Sequence, residues 1–262
     1  MSLLFGSILF VLGVIGAFVS GLTGVGGAIV MIPLLLYVPP LLGVGELDVK
    51  AVAAITMVQV FVAAASGVVA HGRHRAVNRR LAAAGGLAMA AGSLAGAVAS
   101  GWMRDSWLIF VFALMVTTAF ALMFVPTPPP DVTATGEEER EYSRSLTASI
   151  GGGVGLAAGA VGAGGAFLLV PLLLVVVGVP IRVSIGSSLA MTTLAATAGV
   201  LGKLVTGEVP LVPALVVALG AVPGAQLGAL ASRRLAGPAL KGILFVVIVI
   251  TGVRVWWHVL FE

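Results

Sequence analysis

The sequence predicts an all-α polytopic membrane protein made of two homologous repeats, and three observations carry that expectation. The 262 residues are 60% hydrophobic and only 9% charged, with a mean hydropathy of +1.18. Continuous apolar stretches of about 18 residues or more recur along the chain, the length a helix needs to cross a bilayer. A glycine cluster followed by Pro-Leu-Leu-Leu occurs twice, 138 residues apart. A transmembrane β-barrel would instead show alternating segments of about ten residues.

The two copies are Gly21–Leu36 and Gly159–Leu174, identical at nine of sixteen positions. The first half divides into apolar segments at 3–20, 26–42, 51–70, 81–100 and 107–125. Gly21–Gly27 interrupts the first two, and Pro39-Pro40 closes the second. The second half divides at 146–161, 166–179, 183–204, 209–231 and 238–260. At an offset of 132, Ala63-Ala64 meets Ala195-Ala196, and Gly92, Gly96 and Ser100 meet Gly224, Gly228 and Ser232. The domain reading is therefore repeat 1 over 1–125, a polar linker over 126–145 and repeat 2 over 146–262. The linker has four prolines and the run Glu137-Glu138-Glu139-Arg140-Glu141, which reads as a solvated, flexible and cytoplasmic connection. The first residues lack a basic n-region, so the first apolar stretch reads as a retained span.

Ten segments make each half odd-numbered, and an odd number inverts the second copy. With the basic loop Arg73–Arg80 in the cytoplasm, that arrangement puts 10 of the 14 basic residues inside. Lys50, Arg104, Lys203 and Arg254 fall outside. The alternative has eight spans, with the first helix of each repeat broken at its glycines, and it places only 8 inside. The positive-inside bias favours the inverted arrangement. The same bias accounts for the net charge of +4 without nucleic acid. Cysteine is absent, which removes thiol chemistry and thiolate metal sites.

Several glycines between apolar arms make a turn where one helix ends and another starts. The second helix then offers unpaired N–H groups and a positive dipole end, which bind anions without a charged side chain. Open backbone at membrane depth is tolerated only against protein or a water-filled cavity. Broken helices around a midplane site recur among transporters. Gly92, Gly96, Gly224 and Gly228, by contrast, read as helix-packing positions. Pro33 and Pro171 kink or start the second arms.

Polar groups inside spans are costly and are candidates for contact with a substrate. With the turns they give the predicted substrate-binding set: Thr23, Gly24, Gly26, Gly27, Thr56, Gln59, Gly162, Gly164, Gly165, Ser187, Ser188, Thr192 and Gln226. Thr56 aligns with Ser188, and the Gln amides can donate to an oxyanion. Ser66, Ser184, Thr193 and Thr197 are further polar residues in the spans. Any single Ser or Thr is more often bonded back to its own helix, but Ser187-Ser188 with Thr192-Thr193 is denser than that predicts. His71 and Lys203 align at helix C-termini, where a cation complements the dipole. An anion-attracting vestibule is the sharper reading of the same pair. The predicted spans contain no Asp or Glu, and neither a catalytic triad nor metal-ligand spacing occurs. No enzyme activity, metal or cofactor is expected.

The repeated G-x-x-G-x-G-G-x-x-x-x-P-L-L-L, the run Val183–Met191 and the length together resemble the TauE/SafE family, sulfite-exporter-like permeases of the bacterial inner membrane. These are duplicated membrane transporters with four segments and a hairpin per copy. The resemblance implies export of a small sulfur-containing anion such as sulfite, a sulfonate or sulfoacetate, driven by an ion gradient. The expected partners are that anion, the lipid bilayer and a coupling proton or sodium ion, in a monomer or homodimer. A channel-like anion pore and a non-transporting membrane assembly factor are the competing readings.

Overall fold

In a computed structural model, residues 3–24, 26–72, 77–125, 142–235 and 237–261 are described. Most of the predicted linker, 126–141, lies outside them, as do Arg73, Arg75 and Arg140. The described residues form helices and no strand. A bilayer core offers the backbone no water, so each segment must satisfy its own N–H and C=O groups. The helices are α1 (Leu3–Thr23), α2 (Ala28–Leu41), α3 (Val49–Gly72), α4 (Arg79–Ala99), α5 (Asp105–Met123), α6 (Arg144–Val161), α7 (Ala166–Leu172), α8 (Ile181–Val205), α9 (Leu211–Arg234) and α10 (Gly237–Phe261). A 3-10 turn, Ser100–Trp102, closes α4, and a π-helical turn, Leu173–Val177, extends α7.

Among the described residues, seven helices are long and apolar enough to cross a membrane: α1, α3, α4, α5, α8, α9 and α10. Two further apolar helices among the described residues are too short, Ala28–Leu41 and Ala166–Val177. At 1.5 Å per residue they reach about 21 and 18 Å, short of a hydrocarbon core of about 30 Å.

Between lipid-bathed helices, packing and backbone proximity do the work that water-driven burial does elsewhere. Glycines supply that proximity here. A Cβ on Gly13 or Gly21 of α1 would strike the backbone oxygen of Val217 or Ala225 in α9. A Cβ on Gly92 or Gly96 of α4 would strike the oxygen of Gly152 or Leu156 in α6. Gly224 and Gly228 meet the oxygens of Val14 and Phe18, so these four glycines pack helices as expected. The spacing also gives direction: α1 runs with α9, and α4 runs with α6. Gly67 faces Leu189 and Gly199 faces Met57, so α3 and α8 run oppositely.

The packing is reciprocal. α1 lies on α9 as α6 lies on α4, and α3 lies on α9 as α8 lies on α4. α2 lies on α10 as α7 lies on α5. Phe112 of α5 meets Phe167 of α7 edge-on, with centroids 5.8 Å apart. Pro33 cannot donate to the oxygen of Ile29 four residues back. The Thr251 hydroxyl of α10 donates to that oxygen instead, at 3.0 Å.

Charges gather at the two ends. At one end Lys203 Nζ reaches Glu208 Oε2 and Ser100 Oγ, both at 2.6 Å. Lys50 donates to the Gly101 oxygen there at 3.0 Å. Lys203 is fully buried and ion-paired, so it is a clasp between helix ends and not an open anion vestibule. The His71 side chain lies outside the described set. Arg79, Arg80 and Arg144 sit at the opposite end, where α4 and α6 start.

Candidate functional site

Each glycine turn uses three residues that L side chains tolerate poorly. Gly24, Gly26 and Gly27 have φ of 72°, 78° and 76°, and Gly162, Gly164 and Gly165 have 79°, 62° and 75°. The left-handed region costs other residues roughly 1–2 kcal/mol each. Three such positions in sequence explain why the chain spends its glycines here. The hydrogen bonds repeat too. Met31 N–H donates to Gly27 O at 2.9 Å, as Leu169 N–H does to Gly165 O at 2.9 Å. Neither Gly27 nor Gly165 supplies a side-chain cap, so the first N–H groups of α2 and α7 point forward without one.

The two turns touch. A Cβ on Gly26 would lie 3.2 Å from Ala166 Cβ, 3.5 Å from Val60 Cγ1 and 3.6 Å from Thr192 Cγ2. A Cβ on Gly164 would strike Val60 Cγ1 and lie 3.2 Å from Thr192 Cγ2. Val60 stands halfway along α3 and Thr192 halfway along α8. The turns therefore meet at the mid-height of the long helices, and every described residue in them is buried.

Around this point lie polar atoms with no hydrogen-bond partner: Ser20 Oγ, Thr56 Oγ1, both amide atoms of Gln59, and Thr192 Oγ1. All four side chains are fully buried. Gln59 Nε2 lies 3.0 Å from where a Gly27 Cβ would be, and Ser20 Cβ lies 3.1 Å from it. On α3, Ala53 packs on Gly162 and Val60 on Gly164, and Thr56 lies between them on the same face. An orphaned buried polar group costs about 1–3 kcal/mol. Such a cluster in one place has the chemistry of a site that binds a polar group.

Other predicted residues are committed elsewhere. The Thr23 hydroxyl donates to Val19 O at 2.8 Å. Ser188 donates to Gly24 O at 3.1 Å and to Ile185 O at 2.9 Å, bracing the first turn against α8. Ser187 Oγ accepts from the Asn78 N–H at 3.0 Å, at the far end of α4. Gln226 is exposed on the outer face of α9, away from both turns. Ser184, Thr193 and Thr197 bond back to their own segments.

Sequence reasoning missed Ser20 and Ser93, which are also buried with orphaned hydroxyls. A signal was present. At the repeat offsets Ser20 aligns with Ala158 and Ser93 with Ala225, so each is polar where its counterpart is apolar.

A family model, sulfite exporter TauE/SafE, matches residues 9–255. The chain belongs to the TauE/SafE family. No curated protein and no solved structure matches it. Membership carries the class of activity, membrane transport of a sulfite-type anion. For a TauE/SafE protein, a neutral, hydroxyl- and amide-lined site at helix starts suits an oxyanion, which needs donors but must also be released.

Proposed function

We propose that this chain is a secondary carrier that exports a small sulfur-containing anion such as sulfite, a sulfonate or sulfoacetate across the inner membrane. One observation carries the reading: the two glycine turns meet at mid-height beside the unpartnered atoms of Ser20, Thr56, Gln59 and Thr192. The N–H groups that open α2 and α7 supply a positive potential from two directions. The Gln59 amide and the hydroxyls supply directed donors. Without a guanidinium in the turns, the anion is held by dipoles and leaves readily.

Inverted repeats give the cycle its geometry. The reciprocal packing and the opposed directions of α3 and α8 support that arrangement. In it α1 and α2 form a hairpin entering from one face, and α6 and α7 form one entering from the other. Rocking one hairpin with its packing partner, then the other, exposes the meeting point alternately to each side. The clasp of Lys203, Glu208 and Ser100 would close the outer side. A proton or sodium gradient drives export.

The test is uptake of labelled sulfite or a sulfonate into proteoliposomes. Saturable counterflow is expected, and it should be lost in Gly26→Leu and Gly165→Leu. Flux equal to that of empty vesicles, or wild-type flux in both variants, would overturn the reading. Accessibility of a C-terminal tag checks the topology, which requires that end to lie outside the cytoplasm.

A further inference from the structure

We infer that the basic end carries a second oxyanion site, between the starts of α4 and α6, separate from the glycine turns. A cavity of about 260 Å³ opens there, lined by Asn78, Arg80, Tyr142, Arg144 and Thr147 among others. With about 30 Å³ for each water-sized group, it has room for a phosphate- or sulfonate-sized head.

Arg80 and Arg144 come from different halves of the chain and face one space. Neither guanidinium has a carboxylate partner among the described residues. A planar guanidinium fork matches two oxygens of one oxyanion, so two forks on one cavity select a tetrahedral or trigonal anion. The frame around them is fixed. Asn78 Oδ1 caps α4 by accepting from Leu81 N–H at 3.0 Å, and its own N–H is held by Ser187 of α8 at 3.0 Å. Ser143 Oγ accepts from Leu146 N–H at 3.4 Å and starts α6 at the other wall. The Thr147 hydroxyl is tied to Ser143 O at 2.8 Å.

The repeat provides an internal control. At the repeat offsets Asn78 and Arg80 correspond to Pro210 and Val212, and Tyr142 and Arg144 to Leu4 and Gly6. The equivalent place at the other end therefore has neither guanidinium. The shared fold does not require this pair of arginines; the positive-inside bias accounts for basic residues at this end, and the cavity is what brings these two together. The ligand chemistry is an oxyanion, presented either by a free substrate-like anion or by the phosphodiester of an anionic lipid headgroup.

The experiment uses the purified full chain in neutral detergent. Melting temperatures are read with sodium sulfate, with short-chain phosphatidylglycerol, and with short-chain phosphatidylcholine as control. Sulfate, phosphatidylglycerol or both should raise the melting temperature by about 2–4 °C. The shift should vanish in the Arg80→Gln/Arg144→Gln double variant and persist in Gln59→Leu. Both arginines are exposed, so the double variant should melt like wild type without a probe. A response to sulfate alone assigns the site to a free anion, and one to phosphatidylglycerol alone assigns it to lipid. The absence of a shift with either probe, or an equal response to phosphatidylcholine, overturns the proposal. A shift that survives the double variant also overturns it. If it disappears in Gln59→Leu, the anion moves to the turns and the carrier reading stays intact; if it survives there too, it is a general salt effect of sulfate. An arginine-dependent shift in a protein with no sulfite flux would keep this site and remove the carrier.

Discussion

The two glycine turns have nearly the same backbone and different surroundings. Both use three left-handed glycines, both start a short helix with a 2.9 Å bond to the last glycine, and both lead into Pro-Leu-Leu-Leu. The first turn faces Ser20 and the amide of Gln59. The second, at Gly165, faces Val154, Met89 and Ala158. Thr56 and Thr192 lie where the turns come together. The two turns share a shape, and most of the unpartnered polar chemistry lies at one of them. If a substrate binds where the turns meet, its charged head belongs on the first turn and its remainder against the second.

The comparison breaks most sharply at the glycines. A Cβ in Gly162→Ala would strike the backbone oxygen of Ala53, which cannot rotate away, at a residue with φ of 79°. Strain of about 1–2 kcal/mol plus overpacking of about 1–3 kcal/mol should lower thermal stability and abolish transport in a vesicle flux assay. Gly26→Ala should be milder, because its nearest new contact is 3.2 Å from a side-chain methyl.

Next in size is Gln59→Met, which gives the first turn the residue found at its counterpart, Met191. Bonds to a charged ligand contribute about 1.5–3 kcal/mol, so export should fall by roughly 10–100-fold. The substrate-free protein should melt higher, because two orphaned buried atoms disappear. Reduced flux together with reduced stability would make Gln59 a structural residue. Ser20→Ala and Thr192→Val remove one neutral hydroxyl each and should lower transport by about 2–10-fold in the same assay. Smallest of all, Gln226→Leu should leave flux within about twofold of wild type, since its side chain lies outside the assembly of turns.

The segments were readable because lipid imposes a simple code of long apolar helices broken by glycine, proline and charge. The predicted second arms at 26–42 and 166–179 correspond to Ala28–Leu41 and Ala166–Val177. The glycine turns were also readable, because positive φ leaves a compositional trace. The orientation of hydroxyls was not. Thr23 and Ser188 are spent on backbone oxygens while Thr56 and Thr192 are free, and that depends on which way each helix is rotated about its axis. Gln226 looked like Gln59 in the sequence, yet one faces outward and the other the centre. Helices that are apolar on all sides give no moment to fix that rotation. Ser20 and Ser93 were overlooked because a lone serine in a small-residue stretch resembles packing.

The reciprocal packing also bears on how the protein is made. The glycine stripe of α1 is shaped for α9, a partner that begins at Leu211. At about 5–20 residues per second, synthesis reaches that partner roughly 10–40 s after α1 is complete. During that interval the glycine stripe of α1 has no α9 to pack on, and α4 waits a shorter time for α6, which begins at Arg144. Neither α1 nor α4 finds its main packing partner in its own half, so a chain cut in the linker should need both pieces present at once to assemble. The unit that folds is then the pair of halves.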